Sequence, residues 1–79
     1  MRITILSPEQ ELFSGVIKSV QAPGADGLFE VLENHAPLVS ALGAGQVRIL
    51  TEKGEKLTYD IPGGFIEVLN NEVSLLVNG

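Results

Sequence analysis

The chain has 79 residues, 44% of them apolar, with ten carboxylates against five basic side chains, a formal net charge of −5 and no cysteine. One domain spanning residues 1–79 is all that this length allows, and a domain so small buries only about 60–65% of the surface its unfolded chain exposes, so a partner is the expected supplement. Disulfides and thiolate metal sites are excluded, a zinc cage has a single histidine to draw on, and the acidic balance disfavours nucleic acid and anionic lipid surfaces.

The N-terminal run Arg2 to Leu6 alternates, with Ile3 and Ile5 on one side and Thr4 on the other. It has neither a long apolar stretch nor a small-residue cleavage site, so it reads as a strand rather than a signal peptide, and the protein is expected in the cytoplasm. No segment is long and apolar enough for a bilayer-spanning helix. From Val16 to Ala22 the period of two predicts a strand with Val16, Lys18, Val20 and Ala22 on one face. Leu28 to Leu32 is a short apolar run broken by Glu30. Ala36 to Leu42 alone has a helical look, and it is too short to stand as an isolated helix. Val47, Ile49 and Thr51 oppose Gln46, Arg48 and Leu50; after a Lys53-Gly54 turn, Leu57, Tyr59 and Ile61 oppose Lys56, Thr58 and Asp60. Phe65 to Leu69 and Val73 to Val77 are joined by Asn70-Asn71, a pair that tolerates positive φ and suits a tight hairpin. Ser7-Pro8, Pro23-Gly24, Asp26-Gly27, Gly43-Ala44-Gly45 and Pro62-Gly63-Gly64 punctuate the runs. Short strands at this spacing predict one all-β domain, an antiparallel sandwich or barrel.

Few residues invite a chemical reading. Gly43-Ala44-Gly45 lacks the third glycine of a dinucleotide fingerprint, since Arg48 stands there and a strand follows. Gly63-Gly64 precedes no Lys-Ser or Lys-Thr and reads as a turn or bulge. A catalytic His35 would need a nucleophile and an orienting carboxylate; Ser40 and Glu33 are candidates, but any small domain offers such pairs by chance. A loop or interface histidine is the simpler reading. The carboxylates form no shielded dyad, and a sandwich of this size leaves little room for a pocket of about 300 Å³. The segment from Pro23 to Ala44 carries Asp26, Glu30, Glu33, His35, two prolines and exposed-looking Leu28 and Phe29. Long connections of that kind are more often functional than idle.

Across these runs the sequence resembles the N-terminal domain of the ε subunit of bacterial F-type ATP synthases. The resemblance is carried by Ile3 to Gly15 (I-T-I-L-S-P-E-Q-E-L-F-S-G), Val20 to Gly24, Gly27-Leu28-Phe29, Asn34-His35-Ala36-Pro37-Leu38, Gly45 to Ile49 and Gly63 to Val68. It implies a small antiparallel β-sandwich of about ten short strands with no active site and no cofactor. It also implies a non-catalytic central-stalk (rotor) role in a proton- or sodium-translocating synthase, on the cytoplasmic side of the bacterial inner membrane. The implied partners are the γ subunit, facing Ser7, His35, Ser40 and Gln46, and the c-ring, facing Ala25, Asp26, Gly27, Leu28 and Phe29.

Two departures from the family pattern stand out. Glu30 and Glu33 replace Gly and Pro, adding negative charge near the ring-facing loop, where they are expected to complement basic residues of the ring. The sequence ends at Asn78-Gly79, after the last predicted strand, so the family's C-terminal helical hairpin is not expected, nor are inhibition by an inserted helix and ATP binding. The alternatives are an unrelated small acidic β adaptor or ligand-binding module, for which only the strand pattern speaks, and a small hydrolase using His35.

Overall fold

The computed structural model describes residues 1–78, which form eight strands: β1 (Arg2–Leu6), β2 (Glu11–Gly24), β3 (Gly27–Leu32), β4 (Leu38–Leu42), β5 (Gly45–Thr51), β6 (Lys56–Ile61), β7 (Gly64–Leu69) and β8 (Glu72–Val77). Alternation sets the two faces most clearly at β7 and β8, where Ile66, Val68, Val73, Leu75 and Val77 are buried while Phe65, Glu67, Leu69, Glu72, Ser74 and Leu76 are exposed. Their turn is the expected one. Asn70 and Asn71 sit at φ 50° and 62°, the left-handed pair whose twist matches that of the flanking strands.

The strands fall into two groups that share β2. In one the order is β2–β1–β8–β7–β4; in the other it is β3–β2–β5–β6. All pairings are antiparallel except β1 with β8. Side chains from both groups, among them Ile3, Ile5, Val20, Val47, Ile49, Ile66 and Leu75, meet in a single core, which makes the arrangement a sandwich. At about 3.3 Å per residue the 14-residue β2 would span roughly 45 Å if straight, yet the longest extent of the molecule is 27 Å. The strand therefore bends, passing from the first layer to the second.

The bend coincides with a bulge. Pairing with β5 shifts register between Ile17 and Ser19, and one extra residue reverses which side chains face inward. Ile17 is buried before the bulge and Val20 and Ala22 after it, while Val16 and Lys18 are exposed. The expected common face of Val16, Lys18, Val20 and Ala22 is thus split. Because β2 does the work of two strands, eight segments complete the sandwich where about ten were expected.

Two other expectations change. Five residues of the helical-looking stretch form β4, which pairs along its whole length with β7; the ladder overrides a local preference too short to hold a helix. The segment from Pro23 to Ala44 is not a long connection, since it contains both β3 and β4. The second glycine of Gly63-Gly64 has a packing role. Gly64 lies between Leu42 and Val77 in the sheet, and a Cβ there would collide with the Leu76 carbonyl oxygen.

Candidate functional site

The outward face of the first layer carries a row of apolar side chains that the core does not use. Ala41 pairs with Phe65, Phe65 with Leu76, and Leu76 with Leu6, so β4, β7, β8 and β1 each place one apolar residue side by side. Phe65 is 55% exposed and Leu76 53%; Leu6 and Val39, the neighbour of Ala41 on the same face of β4, are exposed as well. The row was not singled out from sequence, but a signal existed. Phe65-Ile66 and Leu75-Leu76 are apolar in both phases of the alternation, the mark of strands covered on both sides.

A second exposed element adjoins one end of this row. The β2–β3 hairpin turns at Ala25-Asp26, with Gly24 opposite Gly27 and Pro23 opposite Leu28. It is anchored by the Ala25 amide, which donates to the Ala41 carbonyl at 3.2 Å. Leu28 stands 68% exposed, whereas Phe29 is half-buried and packs against the core. Phe29 needs the bare backbone of Gly24, where a Cβ would lie 2.9 Å from its ring.

The ring-facing residues expected from sequence do not form one patch. Ala25, Asp26, Gly27 and Leu28 make the hairpin tip, and Phe29 supports it from below. Glu30 projects outward from β3 opposite Gln21. Glu33 lies beyond the far end of that strand, about 20 Å from the tip at strand spacing, and its carboxylate is 3.4 Å from the Met1 ammonium.

Of the four residues expected from the resemblance to face γ, three border the first layer. Ser7 follows Leu6 and closes a turn: its hydroxyl donates to the Gln10 carbonyl at 3.0 Å and accepts from the Gln10 amide at 3.2 Å. Ser40 precedes Ala41, and its hydroxyl donates to the Ala41 carbonyl at 3.1 Å. His35 is half-buried in the loop leading to β4, with Nδ1–H donating to the Ala36 carbonyl at 2.7 Å. Gln46 is on the other layer. The three members of the hydrolase reading, His35, Ser40 and Glu33, are each engaged with a different partner.

The outward face of the second layer is mostly polar, with Leu32 of β3 its exposed apolar side chain beyond the hairpin tip. Ser19, Gln21, Glu30, Gln46, Arg48, Lys56 and Thr58, together with Ile49, Leu50 and Leu57, line an open groove of about 750 Å³, larger than the sequence led one to expect because it lies on the curved exterior. A side-chain relay runs across it, with Arg48 donating to Gln46 at 3.3 Å and Gln46 to Asp60 at 3.1 Å. The molecule thus presents one apolar outer face, one polar outer face and an exposed hairpin between them.

Such a molecule is of the small β-sandwich class, with its distinguishing features on its outer surfaces. The model of the β-sandwich domain of the ATP synthase delta/epsilon chain matches residues 1–79. The ATP synthase epsilon chain of Chlorobaculum tepidum is 47% identical over 74 residues, covering 94% of this chain and 84% of that protein. That of Leptospira borgpetersenii is 46% identical over 79 residues, covering 99% of this chain and 61% of that protein. The chain belongs to the ATP synthase delta/epsilon family and spans about three fifths of the length of the Leptospira relative.

Solved structures share the fold. A chain of the Euglena gracilis mitochondrial ATP synthase superposes with a TM-score of 0.85 at 23% identity, covering 95% of this chain and 48% of that one. One from the central stalk and c-ring of the Tetrahymena thermophila mitochondrial enzyme gives 0.81 at 19%, covering 100% and 63%.

Proposed function

We propose that this protein is a non-catalytic central-stalk subunit of an F-type ATP synthase, joining the γ subunit to the c-ring so that ion flow and ATP synthesis stay coupled. The observation that carries the reading beyond family membership is the apolar row Ala41–Phe65–Leu76–Leu6 on an otherwise acidic domain. Covering it together with Val39 removes on the order of 400 Å² of apolar surface from water, a gross gain of about 10 kcal/mol, and association costs of comparable size leave the surplus as affinity. The γ subunit is assigned to this face, with Ser7, Ser40 and His35 at its margins. Gln46, on the opposite face, is assigned a peripheral contact.

The c-ring is assigned to the hairpin tip, with Leu28 as the apolar contact and Asp26 and Gly27 shaping the turn. Because the tip hydrogen-bonds to the end of β4 beside the apolar row, one block engages both neighbours across a short corner held by the Ala25–Ala41 and Gly43–Pro23 backbone hydrogen bonds. Glu30, the nearer of the two carboxylates to the tip, adds a screened attraction for basic residues of the ring, and Glu33 contributes less because of its distance and its Met1 partner. The subunit is assigned a peripheral place at the cytoplasmic side of the membrane as part of the synthase, with no cofactor of its own.

The test is recovery of partners from membranes that hold the synthase. A tagged chain should bring down γ and the ring together, and Phe65→Asp should lose γ. Recovery of neither by the wild-type chain would refute the reading.

A further inference from the structure

We propose that the free edge of β6 is a self-pairing surface, through which two copies of this chain join by antiparallel strand addition with Thr58 on the two-fold axis. The contact uses neither the apolar row nor the hairpin tip, so it stands independently of the docking role above. Among the described residues β6 pairs only with β5, which leaves the other side of its backbone unmatched. The ladder shows which groups lie there. The Thr51 amide donates to the Glu55 carbonyl at 2.8 Å, marking a hydrogen-bonded pair, and such pairs alternate along antiparallel strands. With Ile49 opposite Leu57, Val47 opposite Tyr59 and Gly45 opposite Ile61, those three β6 residues turn their amides and carbonyls toward β5. The amides and carbonyls of Lys56, Thr58 and Asp60 point the other way, along the open edge.

Charge complementarity at the same positions selects a second copy as the occupant. The side chains of Lys56, Thr58 and Asp60 are all exposed on one face. Setting Thr58 opposite its own counterpart brings Lys56 of each copy opposite Asp60 of the other. Every facing pair then exchanges both backbone hydrogen bonds, and both charged pairs are of opposite sign. Centring the axis on Lys56 or Asp60 instead sets like charges against each other, so the charges fix the register. Asp60 has an oxygen left for this contact, because Gln46 Nε2 engages only its Oδ1, at 3.1 Å. On the inner face Leu57 of each copy meets Tyr59 of the other. Both are half-buried against the core, so pairing covers an apolar margin as well. The second open edge of this layer, β3, is guarded against the same event. Its hairpin register turns the backbone groups of Leu28, Glu30 and Leu32 outward, and a two-fold pairing centred there sets Glu30 against itself. The β6 contact is isologous and closes at two copies. It is small, and the net charge of −5 on each chain opposes it, so the dimer is weak and reversible, with a Kd on the order of 0.1 mM.

The test is sedimentation velocity of the full chain over a concentration series, with circular dichroism confirming the fold of each variant. The wild-type chain should pass from monomer to dimer as concentration rises. Lys56→Glu and Asp60→Lys should each weaken self-association about tenfold, since each sets like charges across the axis twice. An equimolar mixture of the two variants should pair again, because the acidic edge of one meets the basic edge of the other. Thr58→Pro removes an edge-facing N–H without touching the β5 ladder and should leave a folded monomer; if it fails to fold, the charge mixture decides. Phe65→Asp should leave the dimer intact. A wild-type chain that stays monomeric to about 1 mM, a concentration at which such a contact is mostly formed, would overturn the proposal. So would a dimer indifferent to both charge reversals, or a mixture that stays monomeric. A dimer lost with Phe65→Asp and kept with Lys56→Glu would overturn it in favour of pairing through the apolar row.

Discussion

The two outer faces of this sandwich are built from the same strand pattern and have opposite characters. The face of β1, β4, β7 and β8 presents Leu6, Ala41, Phe65 and Leu76 in one row. The face of β2, β3, β5 and β6 presents Gln21, Gln46, Arg48 and Thr58, with Gln46 bonded to both Arg48 and Asp60. A polar face satisfied by its own relay gains little from being covered, whereas an apolar row gains from any partner of matching shape. On the proposed reading this asymmetry, rather than overall hydrophobicity, selects the side that docks.

Adjacent residues of β8 give the sharpest way to break that distinction. Leu75 is fully buried and Leu76 half exposed. Leu75→Ala should cost about 2–5 kcal/mol of stability in denaturant unfolding, and Leu76→Ala less than about 0.5 kcal/mol. Equal costs would mean that the outer face belongs to the core. Next in size, Phe65→Asp should weaken binding to γ about 100-fold with stability nearly unchanged, as for a central apolar anchor; Thr58→Asp on the polar face should stay within about threefold. Comparable losses from the two substitutions would erase the difference between faces.

Smaller effects concern the hairpin. Leu28→Asp should reduce association with the c-ring about tenfold, read by co-sedimentation, and leave γ binding within about twofold. Charge reversal at both Glu30 and Glu33 should weaken rotor assembly only severalfold, with the deficit shrinking as salt rises, because exposed charges act at a distance and are screened. Reversals that leave assembly unchanged at low salt would remove the carboxylates from the ring contact.

Much of the fold was legible because burial imposes a period of two. The strands of β1, β5, β6, β7 and β8 and the Asn70-Asn71 turn follow directly from alternation and from the left-handed tolerance of asparagine. What a single period cannot express is a change of phase. The bulge after Ile17 reverses the inward set within β2, so Val16 and Lys18 were grouped with residues that face the other way. Ala36 to Leu42 hid β4 for a related reason: its strand character comes from pairing with β7, which lies more than twenty residues away in the chain. At the hairpin tip the exposure of Leu28 after a turn was legible. The apolar row was not, because its members come from four separate strands and become neighbours only through register. Glu30 and Glu33 were expected to act beside the tip, but three residues of extended chain carry a carboxylate about 10 Å further away.

The coupling activity of a synthase stripped of this chain tests the central claim most directly. ATP-driven ion pumping per ATP hydrolysed should fall on removal, return on adding back the wild-type chain, and fail to return with Phe65→Asp. Undiminished pumping without the chain, or full rescue by Phe65→Asp, would contradict a docking module that works through its apolar face.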